Sequence, residues 1–155
     1  PAAAMQIRAF SKMVDFFSVG SNDLVQYMLA VDRNNARVAH LFNCFHPSIL
    51  RLLQQTVDDA HACRKHISIC GELAADPLGV ILLVAMGFDT LSMSATGLDA
   101  AKWVLHKFSL STCQQLLNQA LLCDDASAVL ALLHRAFHAA GMGRLVGIHE
   151  ERVIQ

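Results

Sequence analysis

The chain has 155 residues, 54% of them hydrophobic and 16% charged, with a formal net charge of -1. That length and apolar content suit one well-buried globular domain rather than a disordered segment. Lys and Arg never cluster into a run, which argues against a nucleic-acid face or a polybasic membrane anchor. The longest uncharged apolar stretch, Pro77 to Phe88, falls short of the roughly 20 residues of a membrane span. No signal-peptide pattern opens the chain, so a soluble protein is expected. Five scattered cysteines (Cys44, Cys63, Cys70, Cys113, Cys123) have neither the pairing nor the spacing of a disulfide framework or zinc site, which points to a reducing cytoplasm.

Ala2 to Met13 carries no breaker and sets Met5, Ala9 and Met13 on one helical face. The run Asp15 to Val19 reads as a buried strand stopped by Gly20, followed at once by Ser21-Asn22-Asp23. Two readings of that triplet stand side by side: a functional loop at a strand's carboxyl end, where α/β proteins place their substrates, or a capping turn for the next helix. Leu24 to Ala30 is a short helix, and Asp32-Arg33-Asn34-Asn35 a second polar loop. Pro47 opens a helix to Cys63, striped by Ile49, Leu50, Leu53, Val57 and Ala60; His46 reads as a residue of that helix start, not a catalytic base.

His66 to Cys70 is a second strand, ended by Gly71-Glu72, and Asp76-Pro77 opens an apolar helix that runs to Met86 before Gly87. A third strand is expected at Asp89 to Ser94, then helices at about Asp99 to Phe108, Ser111 to Cys123 and Ser127 to Ala140. Met5, Met13, Met86 and Met93 read as core filling. Residues 1–146 form the predicted domain and 147–155 a loose tail. Strands alternating with helices imply a parallel sheet with right-handed crossovers. Three such strands leave open edges, whereas a closed barrel of this type has eight strands and about 250 residues. The expected fold class is therefore α/β, the carboxyl-terminal part of a (β/α)8 TIM-type barrel with extra carboxyl-terminal helices.

Asn22-Asp23, Arg33 and Cys70-Gly71-Glu72 all fall at or just after strand ends. A carboxylate for a hard cation, a guanidinium for phosphate and a thiol suit chemistry on a small phosphorylated anion. A Cys on a strand, taken alone, is more simply a small buried hydrophobe, and a lone Arg a solvated charge.

The segments Ser-Val-Gly-Ser-Asn-Asp-Leu-x-Gln-Tyr from Ser18, Ala-Val-Asp-Arg-Asn-Asn from Ala30, and Ser-Ile-Cys-Gly-Glu-Leu-Ala-Ala-Asp-Pro from Ser68 resemble, in order and spacing, the phosphoenolpyruvate-utilising enzymes. The resemblance runs from Pro1 to about Val146 and is nearest to the phosphoenolpyruvate-protein phosphotransferases of bacterial phosphotransferase systems. Asp32-Arg33-Asn34-Asn35, His46-Pro47 and Gly141-Met142-Gly143-x-Leu145 look more like the nitrogen-system branch.

The resemblance implies that phosphoryl passes from phosphoenolpyruvate to a protein histidine with release of pyruvate. It implies Asp23 as an Mg2+ ligand, Asn22 and Asp23 as substrate-seating groups, Arg33 as the phosphate ligand and Cys70 as the acid that protonates the enolate carbon. An ordinary thiol is mostly protonated at neutral pH and can serve so. It further implies an HPr-type phosphocarrier partner and a homodimer formed through the barrel domain.

Ser21 and Val25 stand where the family usually has Thr, Leu73 where it has Met, and Ala75 where it has Gly, whose added methyl is expected near Cys70. A second magnesium carboxylate, a Glu, belongs just before the position of Pro1, and the phosphohistidine on a separate domain. The chain alone is therefore expected to be inactive. Two competing readings are a pyruvate phosphate dikinase or phosphoenolpyruvate synthase relative, and a non-catalytic interaction module.

Overall fold

The computed structural model describes residues 1–146; the tail expected at 147–155 lies outside the described residues. Three strands, β1 (Phe16–Gly20), β2 (His66–Cys70) and β3 (Thr90–Ser92), form one parallel sheet in the order β1-β2-β3. Eight helices accompany it among the described residues: α1 (Ile7–Phe10), α2 (Ser21–Leu29), α3 (Pro47–Ala62), α4 (Glu72–Ala75), α5 (Pro77–Met86), α6 (Ala95–Lys107), α7 (Leu110–Leu121) and α8 (Ala126–Ala139). Short 3-10 turns occupy Ala4–Gln6, Ala39–Leu41 and Gly143–Leu145. Among the described residues no helix is long and apolar enough to cross a membrane.

The strand pleat divides the sheet into two unlike faces. Phe17, Val19, Ile67, Ile69 and Leu91 point into the core shared with the helices. By register, Ser18, Ser68 and Thr90 form one row of the other face and Gly20, Cys70 and Ser92 the next, and of these residues only Ser68 and Cys70 are even half-buried. Parallel sheets normally have both faces covered. Here one face is packed and the other is bare, small and polar toward the carboxyl ends, with Phe16 and His66 as its first row.

Helix starts follow their caps. His46 Nδ1 accepts the Ser48 N–H at 3.2 Å beside Pro47 at the first position of α3. Asp76 Oδ1 accepts from Leu78 and Gly79 at 2.8 and 3.3 Å, ahead of Pro77 in α5. Ser109 and Asp125 do the same for α7 and α8. α5 is apolar all round because α3, α4, α6 and α7 enclose it, and Gly87, at φ 93°, ends it in the left-handed region. The α3 stripe of Ile49, Leu50, Leu53, Val57 and Ala60 is wholly buried, as expected.

The amino-terminal expectation is corrected. The helix breaks after Phe10, and its buried face is Ile7 and Ser11, held over α3 by the Arg8–Asp59 ion pair, while Met5 is 76% and Met13 73% exposed. β1 is not a buried strand: it begins at Phe16, which is 62% exposed at the sheet edge. β3 is shorter than expected, with Asp89 just before its first residue, its N–H still bonded to the Ile67 carbonyl at 3.0 Å, and Met93 and Ser94 beyond its last. α6 starts at Ala95, ahead of the expected Asp99, with Ser94 at its N-cap position and no side-chain cap hydrogen bond.

Asp89 ties the amino-terminal ends of β2 and β3, its Oδ2 accepting the Ile67 N–H at 2.8 Å with His61 Nε2 at 3.1 Å. The Ile67 N–H is the chief cause holding this carboxyl below the usual carboxylate range, opposed by desolvation and reinforced by His61 and His66. A depressed carboxyl stabilises the fold above its unfolded value of about 3.9 and loses that contribution as pH falls through the folded value. Asp89→Ala is therefore expected to cost under about 1 kcal/mol at pH 7 and measurably less at about pH 3, where protonation of the carboxyl is further advanced. Urea unfolding of both forms at the two pH values checks this; an equal cost at both would contradict it.

Candidate active site

Because the three strands are parallel and in register through Gly20, Cys70 and Ser92, their carboxyl ends lie together. The turn after each strand therefore meets its neighbour. Ser21-Asn22-Asp23 is neither a loop nor a cap but the first turn of α2, whose N-cap is Gly20 with no side-chain cap hydrogen bond. Its position there still places a carboxylate in the first turn, where exposed N–H groups favour negative charge.

Asn22 does the joining. Its Oδ1 accepts the Glu72 N–H at 3.2 Å, which links the end of β1 to the end of β2, and receives the Ser21 hydroxyl at 3.4 Å. Gly71, with φ 112°, lets the chain pass beneath this pair: a Cβ there would stand 2.3 Å from Ser21 Oγ and 3.0 Å from Asn22 Oδ1. Ser21 is buried, so its hydroxyl has little room to retreat. With Oδ1 committed to Glu72, the Asn22 amide NH2 is the half of the carboxamide left for a ligand.

Asp23 and Arg33, ten positions apart in the sequence, are neighbours in space. Arg33 Nη2 lies 3.5 Å from Asp23 Oδ1, and the side chains are 37% and 74% exposed. α2 ends with Ala30 in the left-handed conformation, the N–H groups of Ala30 and Val31 both bonding to Gln26 O, and this turns the chain back along its own helix. Asp32 Oδ1 accepts the Asn34 N–H at 2.9 Å and Asn35 Oδ1 the Arg37 N–H at 3.1 Å, so the loop is built of side-chain turns. An exposed pair of this kind contributes under about 1 kcal/mol to stability, and its side chains stand free to bind.

Cys70 ends β2 half-buried, on the bare face of the sheet. It shares the sheet end with Asn22, Asp23 and Arg33 but makes no hydrogen bond to them among the described residues. Ala75 ends α4, its methyl 3.1 Å from where a Cβ on Gly97 of α6 would stand. Cys44, unassigned from the sequence, is a half-buried neighbour of this region, its thiol pushed up to about 12 by desolvation and then by Glu72 and Asp76, and so is not a nucleophile at neutral pH. All five cysteines are free.

No group of three or more His, Cys, Asp or Glu among the described residues makes a metal cage. Asp23 supplies one exposed hard-oxygen donor, which fits the mode in which Mg2+ keeps its waters and binds one or two carboxylates together with a substrate phosphate. An apolar groove of about 480 Å3 lined by Ile7, Phe10, Phe17, Leu24 and Tyr27 runs beside Asp23 along the free edge of β1.

A parallel α/β sheet with charged and polar groups gathered at its carboxyl end has the arrangement in which proteins of this class place their ligands. Residues 1–110 match the family model for the phosphoenolpyruvate-binding domain of phosphoenolpyruvate-utilising enzymes, and the chain belongs to that family. It is 41% identical over 140 residues to the phosphoenolpyruvate-protein phosphotransferase of Geobacillus stearothermophilus, 90% of this chain and 24% of that protein. It is 45% identical over 134 residues to the enzyme of the same name from Enterococcus faecalis, 86% of this chain and 23% of that one. Multiphosphoryl transfer protein 1 of Escherichia coli is 45% identical over 133 residues, 86% of this chain and 16% of that protein. The chain thus spans under a quarter of the length of these curated relatives.

The positive φ and the short Ser21 approach predict that Gly71→Ala destabilises the chain by about 2–3 kcal/mol. A urea unfolding midpoint reads this directly; a shift equivalent to under about 0.5 kcal/mol, the scale of an ordinary surface substitution, would contradict the Ser21–Gly71 geometry.

Proposed function

We propose that this chain is the phosphoenolpyruvate-holding part of a phosphoenolpyruvate-protein phosphotransferase, and that Asn22, Asp23, Arg33 and Cys70 act on one substrate molecule. The observation that carries the reading is the Asp23–Arg33 pair at 3.5 Å, a carboxylate and a guanidinium presented together at the strand ends of a chain whose family binds phosphoenolpyruvate. Its parallel strand order, its helices packed against one face and its bare polar second face support three consecutive units of a (β/α)8 barrel. In such a barrel the helices form an outer ring and substrates sit at the strands' carboxyl ends.

In this reading the Arg33 guanidinium donates to the substrate's phosphate and remains positive while the electron pair of the breaking P–O bond passes to the enolate oxygen and the phosphoryl group moves toward the acceptor. The Asn22 NH2 donates to a second substrate oxygen, held by the Glu72 tie. Asp23 would hold Mg2+, which when bound neutralises charge on phosphate and enolate oxygens. The P–O bond breaks as a bond forms to a histidine nitrogen of the phosphotransferase. The enolate then takes the Cys70 S–H proton at its methylene carbon, giving pyruvate and a thiolate that is reprotonated by solvent. Cys70 on the bare face, and not among the packed isoleucines of β2, supports this role.

The partners in this reading are phosphoenolpyruvate and pyruvate, an HPr-type phosphocarrier and a second copy of the barrel domain. Five free cysteines fit a cytoplasmic setting.

A titration of the 15N-labelled chain with phosphoenolpyruvate and Mg2+ followed by NMR tests the assignment. Shifts are expected at Asn22, Asp23 and Arg33, with an affinity that falls about tenfold or more in Arg33→Ala, the scale of one charge-assisted contact. The same samples are expected to release no pyruvate. Saturating shifts confined to other residues, or an Arg33→Ala affinity equal to that of the parent, would overturn it.

A further inference from the structure

Gln26 belongs to the same signature segment as Asn22 and Asp23, yet the function proposed for that segment gives it no task. It stands three positions beyond Asp23 on α2, and residues three apart share one face of a helix. Both reach Arg33. Asp23 Oδ1 lies 3.5 Å from the Arg33 guanidinium, and Gln26 Oε1 accepts the Arg33 backbone N–H at 3.4 Å. The main chain of Gln26 takes part as well, because its carbonyl accepts from Ala30 and Val31, with the Val31 bond 3.0 Å long. One residue therefore fixes both the turn that reverses the chain and the start of the polar loop beyond it.

We propose that Gln26 is a positioning residue for the phosphate of the substrate: by holding the Arg33 backbone against α2 it sets where the guanidinium stands beside Asp23. Arg33 is a long side chain on a loop with no regular secondary structure of its own. Its head is restrained by an exposed ion pair, which is worth little. Its base is restrained by the Gln26 side chain. Loss of that anchor leaves the charge in place but spreads it over more positions, and affinity for a phosphate falls because the ordering must then occur on binding. The proposal rests on the assignment of Arg33 to the phosphate under the proposed function.

The test compares Gln26→Ala and Gln26→Glu with the parent chain by NMR, using phosphoenolpyruvate, inorganic phosphate and pyruvate as separate ligands. Gln26→Ala is expected to weaken phosphoenolpyruvate and phosphate about three- to tenfold and to leave pyruvate unchanged. In an Arg33→Ala background it is expected to weaken phosphoenolpyruvate no further. Hydrogen exchange of the Arg33 amide, measured without ligand, is expected to speed up in Gln26→Ala and to return toward the parent rate in Gln26→Glu, which keeps an oxygen acceptor. Equal losses for pyruvate and phosphoenolpyruvate, an additive loss in the double variant, or an unchanged Arg33 exchange rate would overturn the proposal. If the parent chain binds no phosphate-bearing ligand while the Arg33 exchange rate responds as expected, the assignment of Arg33 to phosphate fails and the proposed task of Gln26 fails with it. If ligands bind and Gln26→Ala changes nothing, only the inference about Gln26 falls.

Discussion

The pairing of Gly20 with Cys70, and of Cys70 with Ser92, is the constraint on which the site depends. Parallel strands in register end at the same level, so the first turn of α2 is forced against the turn after β2. The Asn22 carboxamide fills that junction by accepting the Glu72 N–H. Gly71 is needed there because no side chain fits under the Ser21 hydroxyl. A one-residue slip would carry Cys70 from the bare face to the packed one, since alternate residues point to opposite faces. Sheet register, local turn chemistry and the placing of the thiol are thus one feature seen at three scales.

The two faces of the sheet divide the labour. Ile67 and Ile69 are fully buried with Ile49, Leu50, Leu53, Ile81 and Leu83, and this apolar burial, at about 25 cal/mol per Å2, stabilises the fold. The opposite face carries Phe16 and His66 at its amino-terminal row and then Ser18, Gly20, Ser68, Cys70, Thr90 and Ser92, residues too small to close a core. Charge is kept to the rim, at Asp23 and Arg33. The packed face holds the rim still, and the rim is where water and ligands arrive.

Local signals were legible in the sequence where one residue decides an element. Asp76-Pro77 and Gly87 bracket α5, Pro47 opens α3, and Ile67 and Ile69 ahead of Gly71 mark β2 at its observed bounds. The reading failed where the deciding partner is distant. Met5 and Met13 have helical spacing, but Ile7 and Ser11 are chosen by contact with α3. Phe16 reads as buried because it is apolar, yet it lies at an edge. Asp23 and Arg33 were visible as chemistry through their motif. Their pairing depends on Ala30 adopting a left-handed turn, for which alanine gives no warning. The Asn22–Glu72 bond spans fifty positions, and no spacing rule reaches that far. Gln26 lay in plain view within the motif, but its partner is a backbone amide, which leaves no mark in a side-chain pattern.

The central claim is that the Asp23 carboxylate, the Arg33 guanidinium and the end of β2 surround a single ligand. Paramagnetic relaxation by Mn2+ in the presence of phosphoenolpyruvate measures this most directly, because broadening falls steeply with distance from the ion. The amides of Asn22, Asp23, Arg33, Cys70 and Gly71 are predicted to broaden together, and only when phosphoenolpyruvate is present. Broadening at Asp23 without any at Cys70 and Gly71, or centred on the opposite end of the sheet near His61 and Asp89, would contradict it.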